Sequence, residues 1–373
     1  MTIPLLLHGR HTDERVLYQP FGPWMVPWRY TTTESEYEAL RRGVGLLDYS
    51  IYSLIEVRGA DRVSFLHNLL SNDIKRLKPG QGCHAAFLSP TAKLIASLLV
   101  LVDANLIWLL CDTQQAVALT QTLEGYHFSE EITLINHERS AALLALEGLR
   151  TIVCLTQLVG AVVALPDPDD HAVVSCDGLT MRFIRQSITG ETGVLCLVDA
   201  KSAPDAWQRF RNRGLSCGLQ LVGWEALNIA RIEAGIPWCG IDLDESTLLP
   251  ETGLERIMAS DTKGCYVGQE IVARVHTYGS VSRKLVGLRL PGDHVPETGD
   301  HIVRGEEECG SITSACMSVA LRCPIALGYV KRGAYEPGMA VEIISGGGRL
   351  PATVSALPFG DTSIFPPRSS KAK

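Results

Sequence analysis

The sequence predicts an α+β protein: two ferredoxin-like split β-α-β units facing a central cleft, followed by a small antiparallel β-barrel. From Ser53 to about Ile135, strand-like apolar runs and helical spacing alternate in the order β-α-β-β-α-β. A weaker copy of that order follows. From about Lys284 onward only short strands remain, separated by turns containing Gly and Pro.

In the first unit "SLIEVRG" is a strand, and "ADRVSFLHNLL" (Ala60–Leu70) carries Val63, Leu66, Leu69 and Leu70 at helical spacing. "LIASLLVLVDANLIWLL" (Leu94–Leu110) reads as two strands around a turn at Asp103 and Asn105. Those polar residues also break it as a membrane span. Asp112 is the N-cap candidate of "DTQQAVALTQTLEGY", a helix ending near Gly125, and "EEITLIN" closes the unit. In the copy, "AALLALEG", "AVVALPDPDDHAVVSC", "LTMRFIRQ" and "GVLCLVD" supply strands, "GLRTIVCLTQLVG" holds a short helix, and Gly214 stops the helix Ala203–Gly214. The barrel strands are "KLVGLRL", "HIVRG", "ECGSITSA", "IALGYVKR", "AVEIISG" and "LPATVSAL". The expected division is 20–138 and 139–283 for the two α+β units, 284–360 for the barrel, and a disordered polar tail at 361–373.

At 373 residues the chain has room for two or three cores, and 46% hydrophobic with 20% charged residues is a globular composition. A net charge of −7 argues against a nucleic-acid binder working by bulk electrostatics. Eleven cysteines lie scattered without any C-x-x-C pair, and "MTIPLLLHGRHTDERV" lacks a signal-peptide cleavage site. Most of these cysteines are therefore expected to be reduced and buried in a cytoplasmic protein. Cys309, Cys316 and Cys323 recur at intervals of seven, but without a clamp-like ligand pair they are not read as a metal site.

"DTKGCYVGQEIVARVHTYG" (Asp261–Gly279) crowds reactive side chains between glycines. Lys263 lies two residues from Cys265, where a positive charge favours the thiolate. Gly264 and Gly268 indicate an exposed, tightly turned loop. Lys263, Gln269 and Glu270 belong either to a site around Cys265 or to the loop's architecture, with Gln269 and Glu270 also able to cap the segment beginning at "IVARV". Tyr266 is either an anchor of the loop or a wall of a cavity. Asn72 and Asp73 in "SNDI" suit an Asx turn.

"GWEALNIARIEAGIPWCGIDLDESTLLPE" (Gly223–Glu251), "GVGLLDYSIYSLIEVRGADRVSFLHNLLSNDI" and "GSITSA" to "ATVSALPF" together resemble the folate-binding aminomethyltransferase (glycine-cleavage T-protein) superfamily over roughly residues 20 to 360. K-G-C-Y-x-G-Q-E, Lys263 to Glu270, is similar to the signature of its YgfZ branch. The resemblance implies tetrahydrofolate in the central cleft, with Glu233 of R-I-E-A-G on the pterin. Tyr266, Asn72 and Asp73 would border the cavity, and Cys265 would stand at its mouth. It further implies a monomeric accessory protein that supports assembly or repair of iron–sulfur clusters in client enzymes, with no nucleic acid or membrane as partner. The alternative reading is a folate-dependent one-carbon (aminomethyl or methyl) transferase. The family's Asp-Asp pair on the first hairpin is replaced by Ala96 and Ser97, and Glu191 stands in the T-G-Y-T-G loop as "TGETG". These departures turn the expectation away from aminomethyl transfer.

Overall fold

The computed structural model describes residues 2–11 and 16–360, with residues 276–278 described by backbone alone. The tail at 361–373, expected to be disordered, lies outside the described residues. Ile3–Pro4 (β1), Leu17–Phe21 (β2) and Trp24–Arg29 (β3) form a small sheet in the order β1-β3-β2. Thr32 then caps helix Thr33–Arg42 (α1), its hydroxyl accepting the Ser35 amide at 3.2 Å. Strand Val44–Asp48 (β4) follows.

The first α+β unit runs Tyr52–Arg58 (β5), Arg62–Leu69 (α2), Gly82–Leu88 (β6), Leu94–Val102 (β7), Leu106–Asp112 (β8), Thr113–Gly125 (α3) and Thr133–Asn136 (β9). Its antiparallel sheet has the order β6-β7-β8-β5-β9. The run β9-β5-β8-β7 is the expected split unit, and β6 is an extra edge strand. "GCHAAFL" hid that strand because it contains no β-branched residue. One face of the sheet packs Ile55, Leu98, Val100 and Leu109 under Leu66 of α2 and Leu119 and Leu123 of α3. The other face sends Leu54, Leu99, Leu101 and Leu110 toward the middle of the molecule.

The second unit comprises Ala141–Glu147 (β10), Thr151–Val159 (α4), His171–Cys176 (β11), Leu179–Ile184 (β12), Gly193–Asp199 (β13), Ala203–Gly214 (α5) and Leu219–Leu221 (β14). Its sheet has the order β11-β12-β13-β10-β4-β14. Thus β4, from the region assigned to the first unit, sits inside the second sheet, antiparallel to β10 and parallel to β14. All five of its residues are buried, a pattern satisfied only by neighbours on both edges and covered faces. The two units are consequently not contiguous stretches meeting at 138/139. Cys154 on α4 is bonded to Cys217 just after α5, an exception to the reduced state expected of most cysteines. The nine other cysteines, all among the described residues, are outside any disulfide.

Helix Trp224–Glu233 (α6) leads into three short helices, Leu249–Thr252 (α7), Glu255–Met258 (α8) and Gln269–Tyr278 (α9). The six expected barrel strands follow as Arg283–Arg289 (β15), His301–Arg304 (β16), Glu307–Met317 (β17), Pro324–Lys331 (β18), Ala340–Ser345 (β19) and Gly348–Ser355 (β20), closed in the order β15-β18-β17-β16-β19-β20. One core joins all three parts: Leu227 and Ile232 of α6 are buried with Leu110 and Leu143 of the two sheets and Leu285 and Leu327 of the barrel. Each such side chain contributes about 1.5–3 kcal/mol of burial, and α6 is the element they share.

Candidate functional site

Where the β2–β3 turn, the first sheet and the loop after α6 meet, a cleft opens. Its walls include Phe21, Tyr52, Asp112, Gln114, Trp238 and Cys239. Strand register builds its floor. Tyr52 at the start of β5 lies opposite Asp112 at the end of β8. The β7–β8 register, last paired at Leu99 and Leu110, runs on toward Ser97 beside Asp112. The Cys239 thiol closes that row, bonded to the Ser97 backbone and the Gln115 side chain, and burial pushes its pKa up to about 12. The side-chain oxygen Oε1 of Gln115 is buried without a partner.

The aromatic walls are held from behind. Phe21 meets Trp238 edge-on, with ring centres 5.0 Å apart. The Arg231 guanidinium lies 4.4 Å from the centre of the Trp238 ring and pairs with Asp242 at 2.5 Å. Asp242 also accepts the Trp238 amide at 2.9 Å and the hydroxyls of Thr313 and Ser314 from β17, at 2.6 and 2.7 Å. Trp238 is thereby fixed to the barrel as well as to α6. Asp112 caps α3 by accepting the Gln114 amide at 2.8 Å, and burial pushes its carboxyl up to about 6.

The K-G-C-Y-V-G-Q-E segment packs elsewhere. Lys263 is buried, and its ammonium donates to the carbonyls of His67 and Leu70 at the end of α2, stacked over Tyr266 at 5.1 Å. A lysine there answers both the orphan carbonyls and the negative end of the helix. Burial lowers its pKa to about 8. Tyr266 is buried with Ala86, Leu94, Leu249 and Val272. Cys265, between these two anchors, is exposed. Gln269 and Glu270 open α9, with the Gln269 amide donating to the Tyr266 carbonyl at 3.2 Å. Of the alternatives the sequence left open, loop architecture describes what Lys263 and Tyr266 do in this structure.

Glu233 also has a filled set of partners. One carboxylate oxygen accepts Tyr37 Oη at 2.5 Å and Arg41 at 2.6 Å; the other accepts Ser318 Oγ at 2.6 Å and the Ala320 amide at 3.2 Å. A carboxylate has about four acceptor sites, so the pterin contact implied for Glu233 competes with protein donors at every one. Its geometry is that of a junction between α1, α6 and the barrel. Arg41, which the sequence reading passed over, also pairs with Glu191 at 2.9 Å and so ties in the T-G-E-T-G loop. Beneath that loop Glu147 is fully buried, accepting Ser187 Oγ, the Ile188 amide and Thr189 Oγ1, with its carboxyl pushed up to about 8 by burial.

Asn72 donates to the carbonyls of His84 at 2.6 Å and Ile257 at 3.0 Å while accepting the Asp73 amide at 2.9 Å, a bond to the next residue and not to the amide two residues on that the expected Asx turn takes. Asp73 pairs with Arg76 at 2.9 Å. Among the described residues no hydrogen bond or ion pair links Glu233 to Asn72, Asp73 or the 263–270 segment. The cleft residues Phe21, Trp238 and Cys239 were missed because nothing in the sequence brings the β2–β3 turn to the loop after α6. Asp112 was read as a cap, and the signal for more was its place at the junction of a strand and a helix.

Residues 7–262 match the GCVT N-terminal domain, and residues 283–361 match the glycine cleavage T-protein C-terminal barrel domain. A relative from Corynebacterium aurimucosum named aminomethyltransferase is 29% identical over 371 residues, covering 95% of this chain and 96% of the relative. One of the same name from Bacillus licheniformis is 28% identical, covering 91% and 93%. The solved structure of glycine cleavage system aminomethyltransferase T from Bartonella henselae superposes with a TM-score of 0.87 at 24% identity over 97% of this chain and 99% of that one, a likeness of fold. These relatives overturn the iron–sulfur accessory role and the iron–sulfur clients expected from the K-G-C-Y-x-G-Q-E segment, since the names they carry are those of a transferase. The chain belongs to the glycine cleavage T-protein family.

Proposed function

We propose that the protein is a folate-dependent one-carbon transferase, moving an aminomethyl or methyl unit, with tetrahydrofolate as the substrate or cofactor used across the aminomethyltransferase family. The observation that carries this reading is the match to aminomethyltransferases over nearly the whole length of both chains. The cleft supports it chemically. A folate is a flat heterocycle joined to an aromatic ring, with amine nitrogens at the reacting end. Tyr52, Phe21 and Trp238 offer flat apolar walls, while Asp112, Gln114 and Cys239 add a few polar groups. The donor set fits the ligand.

When bound, tetrahydrofolate supplies a nucleophilic amine nitrogen that carries the one-carbon unit. The chain's own part is positioning: Trp238, braced by Arg231 and Asp242, sets one wall, and Tyr52 on the rigid sheet sets the other. The K-G-C-Y-V-G-Q-E segment supports a place in the YgfZ-type branch of the superfamily, with Lys263 and Tyr266 holding the loop that presents Cys265. That most of the cysteines are outside any disulfide supports a cytoplasmic location.

The test incubates purified protein with tetrahydrofolate and 13C-labelled methylene or methyl donors. Stoichiometric transfer of label to the folate that survives Cys265→Ala is expected. Absence of transfer, together with no reduced-folate binding by calorimetry, refutes the reading.

A further inference from the structure

A one-carbon unit joins an amine nitrogen only if that nitrogen gives up a proton, so the reaction class needs a proton acceptor beside the ligand. On β7, Ser97, whose backbone bonds to Cys239 of the cleft, is no base, and Ala96 is buried in the core under α2 and α3. Among the lining residues Asp112 alone carries a carboxyl. It is 7% exposed and stands opposite Tyr52, with Cys239 beside it.

We propose that Asp112 is a catalytic residue of this cleft: its carboxyl exchanges a proton with the amine nitrogen of a bound reduced folate. This rests on the transferase reading. In the forward direction the N–H bond breaks as the N–C bond forms, and the proton passes to the Asp112 carboxylate. The bond from the one-carbon unit to its donor heteroatom breaks with its electron pair going to that heteroatom. In reverse the carboxyl returns the proton.

Two further observations support the role. Burial sets the Asp112 carboxyl near 6, where a general acid–base group exchanges protons readily at neutral pH. The titratable groups around it are Tyr49 and Tyr52 from the β4–β5 region, Cys111 from β8 and Cys239 from the loop after α6. Burial raises all of them far above neutrality, so they keep their protons there. Asp112 is therefore the group that titrates in the cleft between about pH 5 and 8.

The helix cap is a competing role, and Asp112→Asn separates the two, because asparagine caps a helix about as well as aspartate. Calorimetry of tetrahydrofolate binding near pH 6, in buffers of different ionisation enthalpy, counts the protons exchanged on binding. Label transfer reports turnover. Expected for Asp112→Asn are a Tm no lower than the wild type's, retained binding, no proton exchange, and transfer reduced about 100-fold or more. If the variant transfers at the wild-type rate with the same proton count, Asp112 is only a cap and the proposal falls while the transferase reading stands. If folate binding is lost without a fall in Tm, Asp112 is a binding group and the proposal likewise falls. A wild-type protein that neither binds the folate nor transfers label removes both.

Discussion

Lys263 illustrates how a conspicuous residue can be occupied by architecture. Its ammonium serves two carbonyls at the end of α2, and removing it leaves both without that donor. Lys263→Ala should cost about 1–3 kcal/mol in urea unfolding, and an unchanged midpoint would contradict the anchoring role. Glu147 offers a test by pH. Its folded carboxyl titrates near 8 against an ordinary 4.5, so between those values the folded state holds a proton that the unfolded chain has shed. Its contribution therefore weakens as pH rises through that window. The wild-type Tm should fall from about pH 5 to about pH 8 relative to Glu147→Gln, which lacks the titration; parallel curves would refute it. Neither role could be read from the sequence, because a lysine reveals its carbonyl partners and a glutamate its burial only once distant segments meet.

At the level of elements, the fold was more legible than the site. The barrel strands, α3 with its Asp112 cap and α5 stopping at Gly214 are local patterns, and each formed where its spacing indicated. β6 escaped because its composition is unlike a strand, and β4 changed sheets because pairing between distant strands leaves no local trace. The start of α9 shows what a single backbone position demands. Gly268 has φ +82°, and a Cβ there would stand 2.6 Å from the Ser89 carbonyl oxygen. Gly264, four residues earlier, has no positive φ, and a Cβ there would meet nothing within 4 Å. Gly268→Ala should destabilise by about 1–3 kcal/mol while Gly264→Ala stays within about 0.5 kcal/mol. Equal chemical-denaturation midpoints for the two variants would contradict that account of the loop.

For the molecule as a whole, Glu233 at the end of α6 and Asp242 in the loop after it are both made fast to the barrel. Glu233→Ala leaves Arg41 with one carboxylate partner instead of two and should cost about 3–5 kcal/mol. Scanning calorimetry should then resolve the barrel as a separate transition, and a single undivided transition would argue against the junction. The assembly of three parts was legible in the sequence, but its cleft was not, since its walls come from residues 21, 52, 112 and 238. The displaced strand β4 has a consequence for synthesis. Residues 44–48 leave the ribosome early, yet their sheet neighbours at 141–147 and 219–221 follow only much later. An apolar strand with both edges unpaired must wait through that interval. The second sheet therefore cannot close from its N-terminal side as the chain grows; it is complete only once β14 arrives, with the whole barrel still to be made.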